Sequence, residues 1–137
     1  MKIRRLVPLA LVLSLGALAF WAVPGITHCQ VPCGIYDDAA RFTLMAEHVT
    51  TIEKSINEIT KLSAAEQKNH NQIVRWVENK EVHADELSEI VTYYFLAQRV
   101  KPVPAGDEKY DRYVKQVTTL HAMLVRAMKA KQTTNLE

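Results

Sequence analysis

Apolar side chains recur at alternating spacings of three and four along most of this chain, the rhythm of helices that bury one face. Phe42, Met45, Val49, Ile52, Ile56 and Ile59 form a first seam on a helix of about six turns that starts near Asp37. Asp37 or Asp38 is placed to cap its N-terminus. Ser63-Ala64-Ala65-Glu66 has the form of a capping box opening the next segment. There Ile73, Val77, Ala84, Leu87, Val91 and Tyr94 carry the same rhythm, interrupted by Lys80. One long helix and two helices broken near Asn79 both satisfy that pattern. Pro102 and Pro104 end it, because proline lacks an amide donor and disfavours helix in the residue before it. A last helix is expected from about Asp107 to Lys131, with its seam at Tyr110, Val114, Val117, Leu120, Leu124 and Met128.

No segment alternates with a period of two over the length of a strand, so no sheet is expected. The expectation is an all-α antiparallel helical bundle of the four-helix type, with the final helix short or missing. The same a/d-like spacing also suits self-association through helices, although an ordinary bundle core is the favoured explanation.

The first 27 residues break the pattern. Lys2, Arg4 and Arg5 precede an uncharged apolar run from Leu6 to Val23, and Pro24-Gly25 follows. This is the build of an export leader, and its length lies at the lower edge of a membrane span. The expected divisions are a leader at 1–27 that is removed, a hook at 28–36 and a helical bundle at 37–137. Export to a periplasmic or extracellular space follows from the leader, with a cytoplasmic location after leader removal as the alternative. A membrane association is expected only through an uncleaved leader. Cleavage before His28 would put Gly25 and Thr27 at the recognition positions, a poor A-x-A match that points to a dedicated peptidase.

The charge follows the same division. Of 17 basic side chains three precede His28, leaving 14 against 15 acidic ones, so the formal charge of +2 overstates the basicity of the remainder. A near-neutral domain without a basic stripe gives no reason to expect a nucleic-acid partner.

The segment His28-Cys29-Gln30-Val31-Pro32-Cys33-Gly34-Ile35-Tyr36 lies outside every expected helix and holds both cysteines. Two cysteines four positions apart in an exported chain most simply form a disulfide. His28 directly before Cys29 changes that picture. If cleavage frees His28, the chain offers an α-amine, an imidazole, the Cys29 amide nitrogen and two thiolates within six residues. Amine, amide and both thiolates can share a plane around a metal, with the imidazole left for an axial position. Strong nitrogen and sulfur donors in a square plane suit Ni(II) or Cu(II) rather than tetrahedral zinc. Pro32 and Gly34 would turn the backbone so that the Cys33 sulfur returns to the metal.

His28, Cys29, Pro32, Cys33, Gly34, Tyr36 and Asp37 together read H-C-x-x-P-C-G-x-Y-D, which resembles the nickel hook of nickel superoxide dismutases. Tyr93-Tyr94-Phe95 followed by prolines is similar to that family's aromatic segment at the end of its long helix. The resemblance implies a mature enzyme that begins at His28 and assembles as a homohexamer. Two superoxide anions and two protons become oxygen and hydrogen peroxide, with nickel alternating between Ni(III) and Ni(II). It implies His28, Cys29 and Cys33 as metal ligands, with Tyr36 at the mouth of the site and Tyr94 as a second tyrosine. A carboxylate and a cation that hold the imidazole would fall at Glu47 and Lys80, a second-shell pattern common for metal-bound histidine.

Two departures accompany the match. Gln30 stands where many members carry an acidic residue, and Lys131 to Glu137 read like the turn into a final helix that the family would continue with. Two other readings fit the same residues. One is an exported or membrane-tethered helical binding protein with a Cys29–Cys33 disulfide and no activity; the other is a nickel or copper carrier without turnover. Of the other histidines, His48, His70, His83 and His121 are dispersed, and most are expected at the helix surface. Trp76 and Tyr113 are expected to pack.

Overall fold

The first helix starts where the sequence supplies a cap. The Asp37 carboxylate accepts a hydrogen bond from the Ala40 amide at 3.0 Å, and α1 then runs over Asp38–Ala64 in this computed structural model, which describes residues 30–135. Asp38 in the first turn puts negative charge at the positive end of the helix dipole, and Lys61 does the reverse in the last turn. The chain becomes extended at Ala65. The expected capping box does not form: Ser63 and Ala64 still belong to α1, and Asn69 caps the next helix by accepting from the Gln72 amide at 3.2 Å. An Asn side chain that reaches the backbone two or three residues on is as good a start signal as serine, and it sits next to the true break.

The second helix, α2, spans His70–Glu89 and continues without a break near Asn79 into a π-helical segment, Ile90–Arg99. The wider i→i+5 bonding persists to the end, where the Val100 amide donates to the Phe95 carbonyl at 2.9 Å. Val100 leaves the helix in extended conformation, ahead of Pro102 and Pro104. A turn closed by the Asp107 amide on the Pro104 carbonyl at 3.3 Å follows, with Gly106 at φ +93°. That left-handed value is what the third residue of a type II turn requires, and glycine adopts it without a Cβ clash. The last helix, α3, covers Tyr110–Gln132. Among the described residues all regular structure is helical.

Cross-links set the helix directions. Asp38 of α1 meets Tyr94, and Ser55 meets Asn79 on α2, so rising numbers on one helix pair with falling numbers on the other. α3 starts at Tyr110, soon after the π segment ends at Arg99, and its C-terminal end at Ala130 and Lys131 meets Lys80 and Asp85 of α2, so that pair is antiparallel too. The second helix is therefore the shared wall of the bundle. Met45, Ile52 and Ile56 of α1 and Leu120 and Ala127 of α3 close onto Ala84, Leu87 and Val91. Each large aliphatic side chain so buried contributes roughly 1.5–3 kcal/mol.

The seams differ from the expected ones in a consistent way. Phe42 and Val49 lie half exposed or more, while His48 and Ser55 take buried places on α1. Val114 and Met128 of α3 are also exposed, and Ala127 is buried instead. A groove of about 690 Å³ between α1 and α3 receives Val49 on one side and Met123 on the other. The buried stripe is thus narrower than the apolar stripe. No described helix is long and apolar enough to cross a membrane, and the expected leader lies outside the described residues.

Lys80, the residue that interrupts the second seam, is only 3% exposed. Its ammonium donates to the carbonyls of Ala130 and, at 2.7 Å, of Lys131, and it pairs with Glu81 at 3.2 Å. Those carbonyls belong to the last turn of α3, whose acceptors have no partners within the helix. Replacing Lys80 with alanine should strip these acceptors and leave a void, lowering stability by about 2–3 kcal/mol. A chemical denaturation series checks this; an unchanged midpoint would remove Lys80 from the account of how α3 is held.

Candidate metal centre and its tyrosine cluster

Compact packing divides the chain between Cys33 and Gly34. Of the N-terminal unit, the described residues Gln30–Cys33 form a bend, and the Cys33 side chain is exposed. Gly34 follows at φ +75° with open space where a Cβ would be, so its glycine is required by backbone conformation and not by crowding. His28 and Cys29, the other expected ligands, lie outside the described residues. By donor chemistry the expected set fits nickel: thiolate sulfurs, an imidazole and backbone nitrogens within six residues are donors that a nickel ion accepts.

In the second unit, Tyr36 and Tyr94 come together although 57 residues separate them in the chain. Their rings meet edge to face, with centroids 5.8 Å apart at 84°. Tyr94 is buried and Tyr36 is 38% exposed, so the pair presents one outer and one inner ring. Tyr94 packs edge-on against Phe95 as well, and Phe95 stacks on Phe42 at 5.1 Å, which accounts for a phenylalanine left half in solvent.

Asp38 organises this cluster. The Tyr94 hydroxyl donates to Asp38 Oδ1 at 2.7 Å, and Arg99 forms a two-pronged bond to both carboxylate oxygens at 2.8 and 2.7 Å. The Arg99 guanidinium also lies over the Tyr36 ring, 4.5 Å from its centroid, and that of Arg41 lies 5.1 Å from the Tyr94 centroid. Both are cation–π contacts. Tyr94 and Arg99 are five residues apart, and the i→i+5 bonding of the π segment brings such a pair onto one face of the helix. The π segment is therefore what lets a single aspartate at the start of α1 hold both.

Charge and proton positions follow. The Arg99 hydrogen bond, then that of Tyr94, holds the Asp38 carboxyl below the usual carboxylate range. Burial, then the adjacent Asp38 carboxylate, pushes the Tyr94 phenol up, and Arg99 is raised chiefly by its bond to Asp38. Tyr94 accordingly stays a neutral phenol with its proton directed at Asp38.

Of the expected supporting residues, Glu47 is exposed on α1, and Lys80 spends its ammonium on α3. Their expected partner, the His28 imidazole, lies outside the described residues. The sequence offers Asp38 only as a cap, and nothing in helical periodicity relates it to Arg99. The dispersed histidines also differ from expectation in part: His48 is buried and lies 2.8 Å from His83, nitrogen to nitrogen. Helix pairing brings together residues whose spacing along the chain carries no sign of it.

Two pH effects follow from the aspartate. Because its folded pKa is depressed, Asp38 contributes stability above its unfolded value of about 4, and this is lost as pH falls through the lowered folded value. Tyr94 is raised, so its contribution is full below its unfolded value of about 10 and is lost at higher pH. Ultraviolet titration of the wild type against Tyr94→Phe should show one phenol ionising late, and Asp38→Asn should bring that ionisation to lower pH. An unmoved Tyr94 titration in the Asn variant would mean that the carboxylate does not hold the proton.

The profile of the family described as nickel-containing superoxide dismutase matches residues 23–137, nearly the whole chain, and includes both hook cysteines and the tyrosine cluster. Neither a curated protein nor a solved structure gives a significant match. On a donor set suited to nickel and a family match of this extent, the chain belongs to the nickel-containing superoxide dismutases, oxidoreductases whose cofactor is nickel.

Proposed function

We propose that the chain disproportionates superoxide at an N-terminal nickel hook, and that the cluster around Asp38 controls approach to it. The observation that carries this reading is the sequence of parts: a His28, Cys29 and Cys33 donor set followed, three residues after Cys33, by a tyrosine already packed against Tyr94 and Arg99, both held by Asp38. His28 is to hold the metal through its α-amine and imidazole, Cys29 through amide nitrogen and thiolate, and Cys33 through thiolate. When bound, nickel supplies the one-electron Ni(III)/Ni(II) couple that the side chains lack.

The remaining roles belong to the chain. Superoxide is a small anion, so selection rests on exclusion and charge more than on a shaped pocket. A phenolate near the metal would repel it, and burial together with the Asp38 carboxylate keeps Tyr94 protonated. Arg99 offsets the charge of Asp38, while Arg41 adds a cation beside the Tyr94 ring. Tyr36, as the outer ring, is to narrow the entrance and order water, with Arg99 against its face to fix its orientation. The net reaction consumes two superoxide anions and two protons and yields oxygen and hydrogen peroxide.

Processing and assembly complete the reading. A leader at 1–27 is to be removed by a peptidase to free His28, after export to the periplasm or the cell exterior, and the mature subunit is to associate with copies of itself, as a hexamer by the family resemblance. The groove between α1 and α3 leaves apolar surface available for such an association.

Mature protein beginning at His28 should bind about one nickel ion per chain and remove superoxide. One extra residue ahead of His28, or Cys29→Ser or Cys33→Ser, should reduce turnover to background, because each removes a donor. Full activity in the extended protein would refute the amine ligand. Arg41→Gln should lower kcat/KM by about two- to tenfold at low salt and flatten its dependence on ionic strength. An unchanged salt profile would show that Arg41 does not steer the substrate.

A further inference from the structure

Midway along the bundle, α1 and α2 bring three donor side chains to one point without either cysteine. His48 Nδ1 and His83 Nδ1 are 2.8 Å apart, and Glu86 Oε2 is 3.4 Å from each. His83 and Glu86 stand at i and i+3, so they share a face of α2, and His48 reaches them from α1. A hydrogen bond accounts for one proton between the imidazoles, one Nδ1 donating and the other accepting. It leaves a carboxylate facing both nitrogens.

We infer that His48, His83 and Glu86 form a binding site for one divalent cation of the zinc, cobalt or nickel type. The triangle of donors has the right size. With metal–ligand bonds of about 2.0–2.1 Å, one point about 0.7–1.0 Å out of the plane of the three atoms satisfies all of them. The resulting angles at the metal are about 85° between the nitrogens and about 110° from nitrogen to oxygen, within what a four- to six-coordinate ion accepts. Two imidazoles and one carboxylate select a borderline transition ion over Mg²⁺ or Ca²⁺, which prefer all-oxygen surroundings.

Access and anchoring are both present. The Glu86 side chain is about half exposed and that of His83 partly so, which opens one side to solvent, while His48 is nearly buried and fixed on α1. Three protein donors leave the remaining positions to water. A bound ion replaces the shared proton and ties α1 to α2, so binding adds to the stability of the bundle.

Cobalt(II) separates this site from the hook. Mature protein beginning at His28 and loaded with nickel is freed of loose metal and titrated with Co²⁺ while visible absorption, metal content and thermal midpoint are followed. The expected result is one added cobalt per chain, ligand-field bands without sulfur charge-transfer absorption, and a midpoint that rises with cobalt concentration. His83→Gln should lose the added cobalt, and Glu86→Gln, at a more exposed position, should weaken its binding about tenfold or more, with nickel content unchanged in both. Cobalt that shows sulfur bands, no metal beyond nickel in the wild type, or undiminished binding in the Glu86→Gln protein overturns the assignment.

Discussion

A carboxylate at the first turn of a helix ordinarily does little more than complement the helix dipole, but Asp38 has three partners. It sits at the positive end of α1, accepts the Tyr94 hydroxyl and receives both prongs of Arg99. Charge-assisted bonds of this kind are about twice as strong as neutral ones, and the two-pronged form also fixes orientation. Much around the tyrosines depends on it: the aim of Tyr94 and Arg99 on the π segment and, through Arg99, the face of Tyr36, while Asp38 adds to the burial that keeps Tyr94 protonated. Removing the carboxylate would leave a guanidinium and a buried phenol to find other partners at once.

The bundle is tied together in the same manner farther along. Apolar burial drives α1, α2 and α3 together but does not by itself choose how far each slides past the next. Ser55 with Asn79, His48 with His83, and Lys80 with the final carbonyls of α3 are polar links that fit at one register. Ser55 is fully buried, donating to the Thr51 carbonyl and accepting from Asn79, so a slip by one turn would leave it unpaired. These links occupy places that the apolar pattern would assign to hydrophobic residues, which explains why the seams read from sequence are wider than the buried stripe.

Chemistry and scaffold are divided along the chain. The donors suited to nickel are concentrated in a few residues at 28–33, whereas the groups that govern charge and protonation come from the start of α1 and from the π segment that ends the second helix. A substrate as small as superoxide has few features to recognise, and field and access are what a protein can use to select it. A neutral Tyr94, a compensated Asp38 and a nearby Arg41 are consistent with that demand. Family membership establishes the cofactor and reaction class, and the cluster supplies a physical account of how the bundle could serve them.

What the sequence by itself determined is what depends on neighbours in the chain. Helical period, the proline stop after the second helix, the absence of strand alternation and the hook motif are all local, and the first helix begins at its aspartates as expected. The tyrosines were legible for a different reason: Tyr36 belongs to the motif, and Tyr94 stands in an aromatic run before prolines. Only tertiary structure decided that Tyr94 meets Tyr36, that Asp38 binds Arg99, that His48 faces His83, and that Lys80 is consumed by α3. Those pairings depend on helix register and on five-residue bonding in the π segment, and neither leaves a period in the sequence. A polar residue within an apolar seam signals that something is there; its partner is set by the packing of the other helix.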